Sequence, residues 1–208
     1  MTASTVLDEV TCPVLPAPMA GGPTTPELVA AAAKAGSLGT LAWGTASPEQ
    51  AETQLDQLLA TGTTRWAVNL FRPQQPLREG ERQAAADVAA AEGVKLAGAD
   101  YSFGWDFKLD LALGAPTPPR VVWAMFGTFT SDETERIHDR GAEAWVTVTS
   151  PAEARAAAEA GADVLCVQGP DAGGHRGIWD EYAEPDQRAL PELVRACQVG
   201  VPLLAAGG

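Results

Sequence analysis

Ala144-Trp-Val-Thr-Val148, Thr149-Ser150-Pro-Ala-Glu-Ala-Arg-Ala-Ala-Ala-Glu-Ala160, Gly161 and Ala162-Asp-Val-Leu-Cys-Val-Gln168 follow one another without interruption. The first and last runs are short, apolar and rich in β-branched residues, as buried strands are. Between them Ser150-Pro-Ala-Glu153 reads as a capping box, with proline where its missing N–H costs nothing. Ala160-Gly161 ends the alanine-rich helix with a left-handed glycine cap. The stretch is therefore a strand, a crossover helix and a second strand, the unit from which parallel sheets are built.

The same grammar extends in both directions. Candidate strands are Val14–Pro18, Leu38–Trp43, Trp66–Leu70, Arg120–Phe126, Ala144–Val148, Asp163–Val167 and Pro202–Ala206. Thr25-Pro26-Glu27 and Ser47-Pro48-Glu49 open helices, and Ala35-Gly36, Glu92-Gly93 and Arg140-Gly141 close them. The segment from Phe71 to Pro119 is too long for one crossover and carries two helical stretches, about Leu77–Glu92 and Trp105–Leu113, so an excursion over 71–119 is expected. Gly114-Ala-Pro-Thr-Pro-Pro119 breaks the second of these. The expectation is an α/β chain with one domain over 1–208. Seven strands in βα order fit a (β/α)8 TIM barrel truncated after strand seven better than a small doubly wound sheet.

Composition sets bounds on the partners. Fourteen basic against 27 acidic residues give a net charge of −13, which argues against nucleic acid or an anionic membrane surface. No apolar run reaches eighteen residues and Met1-Thr-Ala-Ser-Thr5 lacks a signal-peptide layout, so a cytoplasmic protein is expected. Cys12, Cys166 and Cys197 have neither disulfide nor zinc spacing, and Cys166 reads as strand core.

In a parallel barrel the chemistry sits just after the strands. Strand ends here lead into Ala17-Pro18-Met19-Ala20-Gly21-Gly22, Asn69, Gln168-Gly169 and Gly207-Gly208. Each glycine pair is either a plain turn or a place where exposed N–H groups meet phosphate. Asn69 either bonds its own backbone in a turn or offers an amide at the mouth of the core. His175 stands in Gln168-Gly-Pro-Asp-Ala-Gly-Gly-His175-Arg-Gly177, where glycines would let an imidazole reach a ligand and move a proton near neutral pH. His138 lies on a polar helix face and reads as exposed. No metal cluster, nucleophile elbow or Walker lysine is present. The six tryptophans read as core or pocket lining, with Trp105 and Trp179 the stronger candidates for pocket walls.

These motifs resemble a known family. Pro16-Ala-Pro-Met-Ala-Gly-Gly22, Val68-Asn69-Leu70, Gln168-Gly-x-x-Ala-Gly-Gly-His-Arg-Gly177 and Pro202-Leu-Leu-Ala-Ala-Gly-Gly208 occur in the order and spacing of nitronate monooxygenases, formerly 2-nitropropane dioxygenases. The resemblance implies a flavoprotein with FMN on the C-terminal face. It implies oxidation of a nitronate or nitroalkane by dioxygen to a carbonyl compound and nitrite. On that basis His175 is similar to the catalytic base, and Ala17, Pro18, Met19, Asn69, Gln168, Gly173, Gly174, Gly207 and Gly208 are similar to FMN contacts. The family's eighth strand and its Gly-Thr phosphate turn have no counterpart here, and Asp171 stands where Glu is usual. Two alternatives follow the same motifs: an FMN-dependent enoyl-acyl-carrier-protein reductase using NAD(P)H, and a non-catalytic flavin-binding remnant.

Overall fold

The computed structural model describes residues 5–94, 98 and 100–207. Its centre is a curled sheet of six strands: β1 (Gly39–Ala42), β2 (Trp66–Phe71), β3 (Val121–Met125), β4 (Glu143–Val148), β5 (Val164–Gln168) and β6 (Leu203–Ala206). They lie in the order β1-β2-β3-β4-β5-β6, and every neighbouring pair is parallel. A doubly wound sheet reverses its strand order at a switch point, whereas a barrel wall keeps chain order. The strictly sequential order identifies the sheet as barrel wall.

Helices α2 (Pro26–Lys34), α3 (Pro48–Ala60), α4 (Glu79–Ala91), α5 (Trp105–Gly114), α6 (Ser131–Asp139), α7 (Pro151–Glu159) and α8 (Leu190–Ala196) fill the connections, and α1 (Thr5–Glu9) precedes them. Both helices of the 71–119 excursion are present, as α4 and α5. Thr25 and Ser47 cap α2 and α3 as the sequence predicts, Ser47 within a complete capping box. At α7 the box is half formed. Ser150 Oγ accepts from Glu153 N–H, but the Glu153 carboxylate accepts from Thr149 and from the Trp179 N–H instead of closing on Ser150.

The expected strand Val14–Pro18 is not one. Its residues run as extended chain without sheet pairing, and Val14 is 69% exposed. Pro13, Pro16 and Pro18 have no N–H to give a ladder, so the apolar pattern there serves a lining loop.

Side chains alternate across the wall. Val68, Leu70, Val122, Ala124, Val146, Val148, Leu165 and Val167 point outward into the layer shared with the helices. Ala67, Val121, Trp123, Trp145, Val164 and Cys166 point inward. At the N-terminal end the inner space is closed by α1, whose Val6 is 1% exposed among those inward residues. The helix is tied down at both ends: Glu143 accepts from the Val6 N–H at 3.0 Å, and Glu9 takes a two-pronged contact from Arg120 at 2.9 Å. Burial of that apolar end leaves the opposite, C-terminal end of the strands as the open one.

Candidate active site

The open end holds a cavity of about 1070 Å³. Its floor and walls are the upper inward positions of the strands: Ala42, Asn69 and Phe71, Trp123 and Met125, Thr147, Cys166 and Gln168, Leu204 and Ala206. One flank is the Pro13–Ala20 loop and the other is Gly173-Gly174-His175. No lining residue carries a carboxylate, ammonium or guanidinium group. Burial pushes the Cys166 thiol up to about 12, so it stays a neutral wall atom at ordinary pH.

The polar wall atoms are bonded to one another. Asn69, 4% exposed, donates its Nδ2 to the Trp123 carbonyl at 3.2 Å, and Trp123 Nε1 donates to Thr147 Oγ1 at 2.9 Å. Gln168 Nε2 donates to the His175 carbonyl at 2.8 Å, while Gln168 Oε1 accepts from the Gly177 N–H at 2.6 Å. Both ends of that amide therefore bind the loop that carries the histidine. Glycine is required beneath it: a Cβ on Gly207 would fall 2.2 Å from the Ala172 Cβ, and the φ of +75° excludes most side chains as well.

His175 is exposed, and its ring packs against a pair of phenyl rings. Phe71 lies 5.7 Å away at 70° and Phe126 5.9 Å away at 82°, with the two phenyl rings 4.8 Å apart. Such edge-to-face arrangements are the favoured ones. Phe126 has a φ of +66°, a conformation that costs a bulky residue energy and is retained where its surroundings impose it. Phe71 in turn fills the space above Gly44, where a Cβ would meet the ring at 2.4 Å.

Of the residues singled out from sequence, Ala17, Pro18, Met19, Asn69, Gln168, Gly173, Gly174, His175 and Gly207 all line this one cavity, and Gly208 lies outside the described residues. Met19 and Thr24 bond to each other through Met19 N–H to Thr24 Oγ1 at 2.8 Å, which folds the Gly21-Gly22 loop onto itself. Trp105 and Trp179 are not cavity walls. Both pack into the outer layer, Trp105 beneath Arg72 at 4.3 Å and Trp179 donating to the Thr147 carbonyl. Trp123, read as core or pocket lining, lines the cavity. His138 is exposed, as expected, and bonds Asp163.

Sequence reasoning missed the phenylalanine seat and Lys108. Lys108 is 2% exposed, with its Nζ donating to the carbonyls of Trp43 at 2.7 Å and Gly44 at 3.2 Å. Burial lowers its ammonium pKa to about 8, only partly opposed by the charge of Asp100. A signal for it existed: Trp105, Lys108, Leu109, Ala112 and Leu113 form the buried stripe of α5, with lysine at an apolar position.

A parallel βα wall with a neutral cavity at the C-terminal ends of its strands and a glycine-framed imidazole at the rim defines a barrel-type small-molecule site. The comparisons with known proteins specify the class further. The nitronate monooxygenase family model matches residues 4–208, and the chain belongs to that family. It is 32% identical over 220 residues to a probable nitronate monooxygenase of Staphylococcus saprophyticus, covering 100% of this chain and 61% of that protein. It is 32% identical over 207 residues to a nitronate monooxygenase of Pseudomonas aeruginosa, covering 94% of this chain and 58% of that one. A solved nitroalkane oxidase from Streptomyces ansochromogenes superposes with a TM-score of 0.84 at 34% identity, over 97% of this chain and 60% of that chain. FabK from Thermotoga maritima, at 21% identity and a TM-score of 0.64, shares the fold. The chain thus spans about three fifths of the length of these relatives. Among the described residues no helix is long and apolar enough to cross a membrane, and no group of side chains could hold a metal ion.

Proposed function

We propose that the protein oxidises alkyl nitronates, and nitroalkanes after loss of the α-proton, with dioxygen to a carbonyl compound and nitrite, using FMN in this cavity. The observation that carries the reading is the placement of His175 at the rim of a neutral cavity, packed against the paired rings of Phe71 and Phe126. Family membership and the likeness to the Streptomyces nitroalkane oxidase support it.

The residues present fit FMN. A cavity of about 1070 Å³ has room for a tricyclic ring and a small substrate, and Gly173 and Gly174 leave open space where side chains would stand. We assign Ala17, Pro18 and Met19 to one face of the ring, Asn69 to its polar edge and Gly173, Gly174 and Gly207 to close backbone approach. Gln168 serves the site by holding the His175 loop. When bound, FMN supplies an acceptor for the substrate's electron pair and passes electrons on to dioxygen.

The protein's own part is proton transfer. His175 takes the α-proton of a neutral nitroalkane onto its imidazole, leaving the nitronate anion in the cavity. The aromatic seat restricts the ring to orientations facing the cavity. On a preformed nitronate that step is not needed.

Two experiments test this. The protein as purified should show the absorption bands of oxidised flavin. His175→Asn should retain them and lose about 10²–10⁴-fold in nitrite release from nitroethane, the usual worth of a general base, while losing far less on ethylnitronate. Equal loss on both substrates would refute the base assignment. Strong NADH consumption with crotonyl thioesters and no nitrite from nitronates would instead identify the reductase alternative.

A further inference from the structure

A fully buried lysine needs a reason. Lys108 sits in α5 among Trp105, Leu109, Ala112 and Leu113, and its ammonium has carbonyl oxygens for partners. Among the described residues no carboxylate forms an ion pair with it. The nearest influence of opposite sign is Asp100, which is exposed and bonded to Ser102. An uncompensated charge in such a place opposes folding, and removing it for a hydrocarbon is often neutral or stabilising.

The place it occupies has a use. Trp43 and Gly44 follow directly after β1, and Gly44 is part of the cavity wall. Their carbonyl oxygens would otherwise present negative ends near the rim. Lys108 covers both oxygens from behind, so one peptide unit separates a full positive charge from a cavity whose own wall has none. Among the described residues a second cation near the site, Arg176, is outside the lining; it donates Nη2 to the Asp186 carbonyl, while its Nε and Nη1 are buried without a partner. With a net charge of −13 on the chain, an anion entering this cavity otherwise meets an unfavourable field.

We infer that Lys108 is the built-in countercharge of the cavity, acting through the Gly44 peptide to favour an anionic ligand over its neutral form. The inference rests on the proposed function for the identity of that anion, a nitronate as substrate and nitrite as product. Lys108 touches neither, so it is an electrostatic residue and not a catalytic one.

Lys108 Nζ lies 3.2 Å from the carbonyl of the lining residue Gly44, and a unit charge acting over about 8 Å at an effective dielectric of about 20 changes anion affinity on the order of ten- to thirtyfold. Two variants separate charge from tethering. Lys108→Met removes charge and donors together, and Lys108→Gln keeps an N–H donor for the carbonyls without the charge. Calorimetric titration of the full-length protein with sodium nitrite should show affinity reduced about tenfold or more in both. Steady-state oxidation should show KM for ethylnitronate raised by a similar factor in both, with KM for nitroethane within about twofold of wild type. The inference is overturned if wild type binds no nitrite, if either variant that folds loses less than threefold, or if the glutamine restores wild-type affinity, which would make Lys108 a tether. Should wild type fail to oxidise ethylnitronate, the proposed function falls and the nitrite titration still decides the role of Lys108.

Discussion

Replacing Gln168 with leucine tests how the histidine loop is held. The side chain is 7% exposed, and leucine fills most of its volume while removing both hydrogen bonds. The two bonds, 2.8 Å to the His175 carbonyl and 2.6 Å from the Gly177 N–H, are worth roughly 0.5–1.5 kcal/mol each. Gly177 is buried against Thr147 and Met125, so its N–H would lose its partner without gaining water, which raises the cost. The sum is about 2–4 kcal/mol. For a chain of this size each kcal/mol lowers the melting temperature by roughly 2–4 °C, so a fall of about 4–16 °C is expected by scanning calorimetry. Hydrogen exchange should accelerate at residues 173–177 while β2 and β4 stay protected. Nitrite release from nitroethane should fall at least about tenfold if ordering the loop becomes uphill by 1.4 kcal/mol. Unchanged melting and exchange, with flavin lost instead, would refute the clamp and make the Gln168 amide a cofactor contact.

Gly207→Ala places a methyl group 2.2 Å from the Ala172 Cβ in a left-handed conformation, so it should cost about 2–4 kcal/mol by urea unfolding and loosen the same loop. Gly44→Ala brings a methyl group 2.4 Å from the Phe71 ring, and the displaced ring should lower nitrite release from nitroethane more than from ethylnitronate. For Lys108 the sign follows from protons bound: above pH 8 the folded protein holds it neutral, whereas the unfolded chain keeps the proton up to its usual pKa of 10.5. The unfolded state therefore binds more protons in that window, and stability rises with pH from about 8 to 10.5. Relative to Lys108→Met, wild type should gain on the order of 3 kcal/mol across the window, and parallel pH profiles from urea melts would contradict the burial of the ammonium.

Most of the wall was legible because strand and helix signals alternate and agree. Six of the seven expected strands exist, and the capping hydroxyls at Thr25, Ser47 and Ser150 mark helix starts that the structure contains. Val14–Pro18 misled because apolar content was read without counting donors, and three prolines remove them. The N-terminal plug α1 and the short α8 carry too few residues for a periodic signal. At the site, residues next to glycines or at strand ends could be picked out from order alone. Phe71 and Phe126 could not, since their meeting at His175 depends on the register that sets Phe71 beside Met125 and on the turn at Phe126. Lys108 was missed because a lysine between apolar residues was given no weight, although its stripe position predicts burial.

Each strand divides its inner face between two tasks. Toward the N-terminal ends the inward residues are Ala67, Val121, Trp145 and Val164, which α1 seals with Val6. One or two inward positions further along stand Asn69, Thr147 and Gln168, three of the few buried polar side chains in the chain. Burying polar groups at the ends of three different strands costs stability unless they are bonded, and each is bonded to protein. Those bonds fix the wall's shape and leave its surface without charge. Ligand selection by charge then falls to the His175 imidazole at the rim and to cations behind the lining, the Lys108 ammonium behind Gly44 and the Arg176 guanidinium. Phe71 meets two of these neighbourhoods, its ring set edge-to-face with His175 and packed over Gly44. A single aromatic ring thus links His175, the proposed proton acceptor, to the backbone that the buried Lys108 holds, so a change at either position should be felt at the other. Double substitution at Lys108 and His175 should accordingly be non-additive in nitroethane turnover.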